Sequence, residues 1–179
     1  MPIAGMQQVM TRLAAVFMLM LVSLGPGLAA DAQPVDVNIT THLGDQQSFV
    51  DGDRISFLLS LDNDAYVYLF YRDAAANLLQ LLPNERMPSH FFSAGLFMPV
   101  PSAQQAFQFS VQPPYGDEFI YAIASSNDTL VFPGKPLANG LILLEGNLEK
   151  IIDGIRKKSK KLFGRGELRL TTLPASQSE

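Results

Sequence analysis

Residues 65–71 read Ala65-Tyr66-Val67-Tyr68-Leu69-Phe70-Tyr71. Side chains of an extended chain alternate between two faces. Tyr66, Tyr68 and Phe70 therefore share one face, and Val67, Leu69 and Tyr71 the other. Both faces are apolar, which predicts a central strand covered on two sides. The face Tyr66, Tyr68 and Phe70 is expected to be sandwich core with tyrosine hydroxyls reaching the rim, the alternative being a stacking platform for sugar or peptide.

The flanks repeat the two-residue period. Upstream, Ile55, Phe57, Leu59 and Leu61 alternate with polar positions between the turns Asp51-Gly52-Asp53 and Asp62-Asn63-Asp64. Val35, Val37 and Ile39 do the same before them. Downstream, residues 72–77 form a hairpin turn in which Asn77 is expected to take the left-handed conformation. Leu78 to Leu82 returns as a strand and stops at Pro83, which has no N–H for a ladder. Residues 83–106 read as irregular, with prolines at 83, 88, 99 and 101 and an unusual apolar content in Phe91, Phe92, Leu96, Phe97 and Met98. Residues 107–111 alternate as a strand, and Glu118 to Ser125 is a second two-faced strand.

The period then changes. Leu141, Leu144, Leu148, Ile152 and Ile155 recur in steps of three and four, the stripe of an amphipathic helix over about 141–162. Glu167 to Leu173 alternates once more. About seven short strands and one late helix predict a mainly β fold. The expected form is an antiparallel two-sheet sandwich of immunoglobulin-like type, with a C-terminal amphipathic helix before the last strand. The expected segments are a leader over 1–30, a polar stretch with the first strand over 31–44, one sandwich domain over 45–173 and a disordered tail over 174–179.

The leader reading rests on Arg12, the apolar run Leu13 to Leu24, Gly25-Pro26-Gly27 and the small residues Ala29, Ala30 and Ala32. That order is the pattern of a cleavable secretory signal. The run is shorter than the ~20 apolar residues that cross a bilayer, so cleavage after Ala30 or Ala32 and a periplasmic or secreted protein without a transmembrane helix are expected. The chain has no cysteine, which excludes a lipid-anchored lipoprotein and disulfide staples. Its net charge is −4, and loss of Arg12 makes it one unit more negative. Such a balance argues against nucleic acid as the main ligand.

No pattern of catalytic or metal-ligating residues emerges. The two histidines, His42 and His90, lack a paired-ligand motif for zinc, and no Gly-x-Ser-x-Gly elbow presents a nucleophile. Asp51, Asp53, Asp62 and Asp64 lie in tight turns but break the calcium-loop pattern. No cofactor or metal is expected. Two stretches stand out as interaction candidates. One is apolar, Phe91, Phe92, Phe97 and Met98. The other is basic, Arg156, Lys157, Lys158, Lys160 and Lys161, which either meets an anionic surface or complements the negative end of the helix.

The segments Tyr66-Val67-Tyr68-Leu69-Phe70-Tyr71, Leu81-Leu82-Pro83-Asn84 and Tyr115-Gly116 with Glu118, together with Asp51-Gly52-Asp53 and Gly95, carry a resemblance over roughly residues 45–126. In them the sequence resembles a bacterial domain-of-unknown-function family of exported and envelope-associated β-domains. Asn77 departs from it, standing where that family carries glycine. The resemblance implies a small β-domain that occurs alone behind a signal peptide or attached to larger proteins, and it supplies no catalytic residues. The expected function is a non-enzymatic accessory module that binds a protein or cell-envelope component. The alternatives are an envelope structural protein contacting anionic surfaces through the basic helix end, and a hydrolase with an atypical site at Ser89, His90 and Asn84.

Overall fold

The computed structural model of the chain describes residues 32–44, 48–102 and 108–175. The signal segment 1–30, Phe107 and the end of the expected tail lie outside the described residues. The strands run in chain order as β1 (Gln33–Pro34), β2 (Val37–Thr41), β3 (Ser48–Val50), β4 (Arg54–Ile55), β5 (Phe57–Leu61), β6 (Ala65–Arg72) and β7 (Leu78–Leu82). They continue as β8 (Phe91–Phe92), β9 (Met98–Val100), β10 (Phe109–Ser110), β11 (Asp117–Ser125), β12 (Gly134–Pro136) and β13 (Ile142–Leu144). Helix α1 (Leu148–Lys158) precedes β14 (Leu162–Leu173). The expected mainly β sandwich, with its helix before the last strand, is what the chain forms.

A nine-stranded sheet is the spine, in the order β1-β14-β11-β6-β7-β13-β12, with β3 also on β14 and β8 also on β6. Its two central strands are the two-faced segments of the sequence, β6 and β11, paired antiparallel from Phe119↔Arg72 to Ser125↔Tyr66. Ala65, Val67 and Leu69 of β6 join Ile120, Ala122 and Ala124 of β11 in one core. Across that core lies the three-stranded sheet β2-β5-β9, which contributes Ile39, Phe57, Leu59, Leu61 and Val100. Tyr68, Phe70, Tyr121 and Ile123 face the opposite way, into a second core closed by Ile152 and Ile155 of α1. Each strand thus satisfies its two apolar faces against different layers, and each fully buried large side chain contributes roughly 1.5–3 kcal/mol.

Several expectations are corrected. The helix begins at Leu148 and ends at Lys158, well inside 141–162. Gly146 has φ +112, a backbone that ends any continuous helix, and Asn147 caps the new one through hydrogen bonds from the Glu149 and Lys150 N–H groups. Leu144 belongs instead to β13, whose Ile142 and Leu143 pair with Gln80 and Leu79. The last strand starts at Leu162, five residues before the alternation is visible. It pairs antiparallel with β11 and parallel with both β1 and β3. The strand within 31–44 is part of the sandwich, because β2 pairs with β5 along its length. In the hairpin turn Ala76, not Asn77, takes the left-handed backbone, φ +65. Asn77 instead holds Asp73 through its N–H and side-chain amide, both at 2.7 Å. Within 83–106, β8 and β9 replace the irregular stretch in part.

Candidate functional site

The chain leaves β11 at Ser125 and crosses the helix-side face of the large sheet as Ser126 to Pro133 before entering β12. Tyr68 fixes this crossing. Its hydroxyl donates to the Asn127 carbonyl at 2.8 Å and accepts the Leu130 N–H at 3.1 Å. Burial pushes the Tyr68 hydroxyl pKa up, opposed by the Leu130 hydrogen bond. Phe132 packs edge-on against Tyr68 and Phe70, at 5.6 Å from each ring. Anchored at Leu130 and Phe132, the segment leaves Val131 between them 88% exposed. A depression opens on either side of it.

The first is a cavity of about 440 Å³ walled by Pro83, Leu130, Phe132 and Ile142, with Asp128 and Glu85 also lining it. His90 lines it too and is only 6% exposed. Its ring lies 5.3 Å from that of Tyr66 and 5.0 Å from that of Tyr68. Nδ1 is 3.2 Å from the Pro88 carbonyl oxygen, which can only accept, so Nδ1 carries the proton. Nε2 is then a bare acceptor, buried and without a partner among the described residues. Desolvation holds the His90 pKa below the ordinary imidazole value, against the weaker upward pull of Pro88 and Asp128. Chemically, His90, with its buried Nε2 unsatisfied among the described residues, borders a cavity whose wall mixes apolar side chains with the carboxylates of Asp128 and Glu85. That cavity suits a hydrogen-bond donor on an apolar stem.

The three residues of the expected hydrolytic site do not converge. Ser89 is exposed and lies outside the cavity lining. Asn84 lines it but is spent on its own turn, accepting the Arg86 and Met87 N–H groups at 2.8 Å and donating to Leu81. His90 alone remains available. The turn aspartates are likewise engaged with backbone: Asp53 accepts from Val50, Asp62 from Asp36 and Asp64 from Ala94.

The apolar candidates separate. Phe92 is buried in the sandwich core, and Met98 is half-buried against it, because β8 turns Phe92 inward and β9 turns Met98 and Val100. Phe91 remains 46% exposed and meets the Tyr66 ring edge-on at 5.4 Å, and Tyr66 in turn lies 5.3 Å from the His90 ring. Phe97 is 63% exposed in the turn before β9. The basic candidates Arg156, Lys157, Lys158, Lys160 and Lys161 are all exposed, with the Arg156 guanidinium 4.8 Å over the Phe163 ring. Sequence reasoning missed Leu130 to Phe132. The signal was an apolar triplet between the turn formers Asn127-Asp128 and Pro133-Gly134.

One buried acid lies elsewhere, on the sandwich side of β11. Glu118 accepts from Thr172 Oγ1 at 3.1 Å and bonds the Tyr71 hydroxyl. Burial raises its pKa, against the pull of these two hydrogen bonds, and Asp73 adds to the rise. The folded state therefore binds the proton more tightly than the unfolded state. The stability this gives is fully present below the unfolded value of about 4.5 and is lost as pH rises through the folded value. Glu118→Gln, uncharged throughout, is expected to raise the thermal midpoint at about pH 8 and leave it nearly unchanged at about pH 4. An equal shift at both pH values would contradict this account.

Among the described residues no helix is long and apolar enough to cross a membrane. No curated protein and no solved structure matches the chain. Residues 48–128, which include His90 and Phe91 and stop short of Leu130, the helix and β14, match the family described as Domain of unknown function (DUF4384).

Proposed function

We propose that this chain is an exported recognition module that binds a partner protein at the cell envelope and carries out no chemistry on it. The observation that carries the reading is that His90, whose buried Nε2 has no partner among the described residues, lines a cavity with two carboxylates in its wall. A buried polar atom without a partner costs about 1–3 kcal/mol, and a bound donor removes that cost. Asp128 and Glu85 select a cationic donor, so the fitting group is a lysine or arginine side chain, its stem against Leu130 and Phe132. Phe91 supplies an exposed aromatic anchor beside it. Recognition is favoured over hydrolysis because Ser89 lies outside the cavity. Export is supported by the leader pattern of residues 12–32.

Crosslinking in intact cells followed by affinity capture of the tagged chain tests this. A discrete partner is expected in the envelope fraction, its recovery falling at least tenfold, roughly 1.4 kcal/mol, in Phe91→Ser. His90→Phe should fall likewise while keeping a cooperative unfolding transition. Recovery unaffected by either substitution would sink the proposal. An N-terminus still at Met1 in exported material would sink the leader reading.

A further inference from the structure

The second depression, on the other side of Val131, has a different character. It is a slot of about 310 Å³ between α1 and Leu130 to Pro133, walled by Leu130, Val131, Phe132 and Ile151. The slot is open at Gly154, where a Cβ would meet nothing within 4 Å. Lys150 and Lys158 line it, against one carboxylate, Glu145. At about 100° per residue, Lys157 falls on the same strip of the helix as Lys150 and Gly154.

The charge here runs against that of the whole protein. Net charge is −4, yet Lys150, Arg156, Lys157, Lys158, Lys160 and Lys161 crowd a dozen positions, and none forms an ion pair among the described residues. Glu149 is already held by Arg165 at 3.0 Å. Helix polarity accounts for cations in the last turn only. Lys150 sits in the first turn, where that polarity disfavours it, and Lys160 and Lys161 lie beyond the helix. The platform is also rigid. Asn147 caps one end, and at the other Ser159 bonds the Ile155 carbonyl and the buried Ser125 hydroxyl of β11.

We propose that this end of the domain docks on an anionic phospholipid surface. Val131 and the walls of the slot enter the boundary between headgroups and acyl chains, while Lys150, Lys157, Lys158, Lys160 and Lys161 engage the phosphates. A soluble acidic polymer would use the cations but would gain nothing from the exposed valine and apolar slot. The pairing of the two features selects lipid. This docking goes beyond the recognition at His90 and uses none of its residues except the shared wall at Leu130 to Phe132.

The test is co-sedimentation of the full chain with vesicles of phosphatidylcholine alone or with roughly a third phosphatidylglycerol. Any contribution from the apolar run at 13–24 appears on both vesicles, so the difference between them reads the basic platform. Binding should favour the anionic vesicles and weaken as salt shortens the screening length. The triple variant Lys157→Gln, Lys158→Gln, Lys161→Gln should reduce the anionic partition about a hundredfold, and Val131→Asp should reduce it at least tenfold with all cations intact. Equal partition onto both vesicles, insensitivity to the triple variant, or undiminished binding by Val131→Asp overturns the proposal. So does retention by a soluble acidic polysaccharide without vesicle binding, which would assign the patch to a polymer.

Discussion

Gly164→Ala is expected to destabilise the domain by about 3 kcal/mol, a large share of the ~5–15 kcal/mol typical of a single domain. A Cβ at this inward position of β14 would overlap the Val35 carbonyl oxygen and lie 2.8 Å from Val37 Cγ2. The obstacle is backbone, so no rotamer change relieves it. Val35 is also tied at this place, its N–H donating to the Phe163 carbonyl at 3.0 Å. Relief requires the N-terminal strand to lift off β14, carrying β2 and its partner β5 with it. Gly166 repeats the arrangement, with the Val37 carbonyl oxygen 2.8 Å from its would-be Cβ. Urea unfolding measures the loss, and Gly154→Ala, where there is open space, serves as the control that should not lose stability. An unchanged midpoint for Gly164→Ala would mean that the strand does not pack on these glycines.

Tyr68→Phe is expected to cost about 2 kcal/mol while keeping the ring. The lost oxygen serves both Asn127 and Leu130, so one atom's removal strands a carbonyl and a buried N–H together. The effect on the site exceeds the effect on the fold. With its anchor gone, the segment keeps its ends, through Ser126 to Leu162 and Lys161 and Pro133 to Glu145, but its middle rests on the packing of Leu130 and Phe132, and water is expected to reach His90. Amide exchange at Leu130 should accelerate, and the depressed His90 pKa should move back up toward 6.5. Proton NMR of the imidazole reads the second effect directly. Unaltered exchange at Leu130 and an unmoved imidazole would show that Tyr68 does not shape the cavity.

The strands that bury a full set of side chains were legible in the sequence. The two-faced run at 65–71 and the alternation at 55–61 place β6 and β5 and their layers. The helix was overextended because Leu141 and Leu144 fit its spacing by chance, while a three-residue strand such as β13 is too short to show any period. The start of β14 was hidden for a physical reason. Its inward positions 164 and 166 are glycines, so the apolar alternation fails where another strand comes closest. The basic patch was visible, but the slot beside it was not. The slot needs Leu130 to Phe132 and Ile151 brought together across a turn, and spacing along the chain does not encode that. His90 was visible only as a residue type, since its isolation from solvent is made by Tyr66 and Tyr68 on a strand more than twenty positions away.

The position of β14 also orders events in time. It receives β11 on one edge and β1 and β3 on the other, so residues 33–34 and 48–50 have no seat in the large sheet until residues 162–173 are present. A growing chain can close the hairpin of β6 and β7, but the sandwich stays open until nearly the whole polypeptide has emerged. Pairings this distant along the chain form slowly. Such a schedule postpones the locking of the large sheet until its last strand is present.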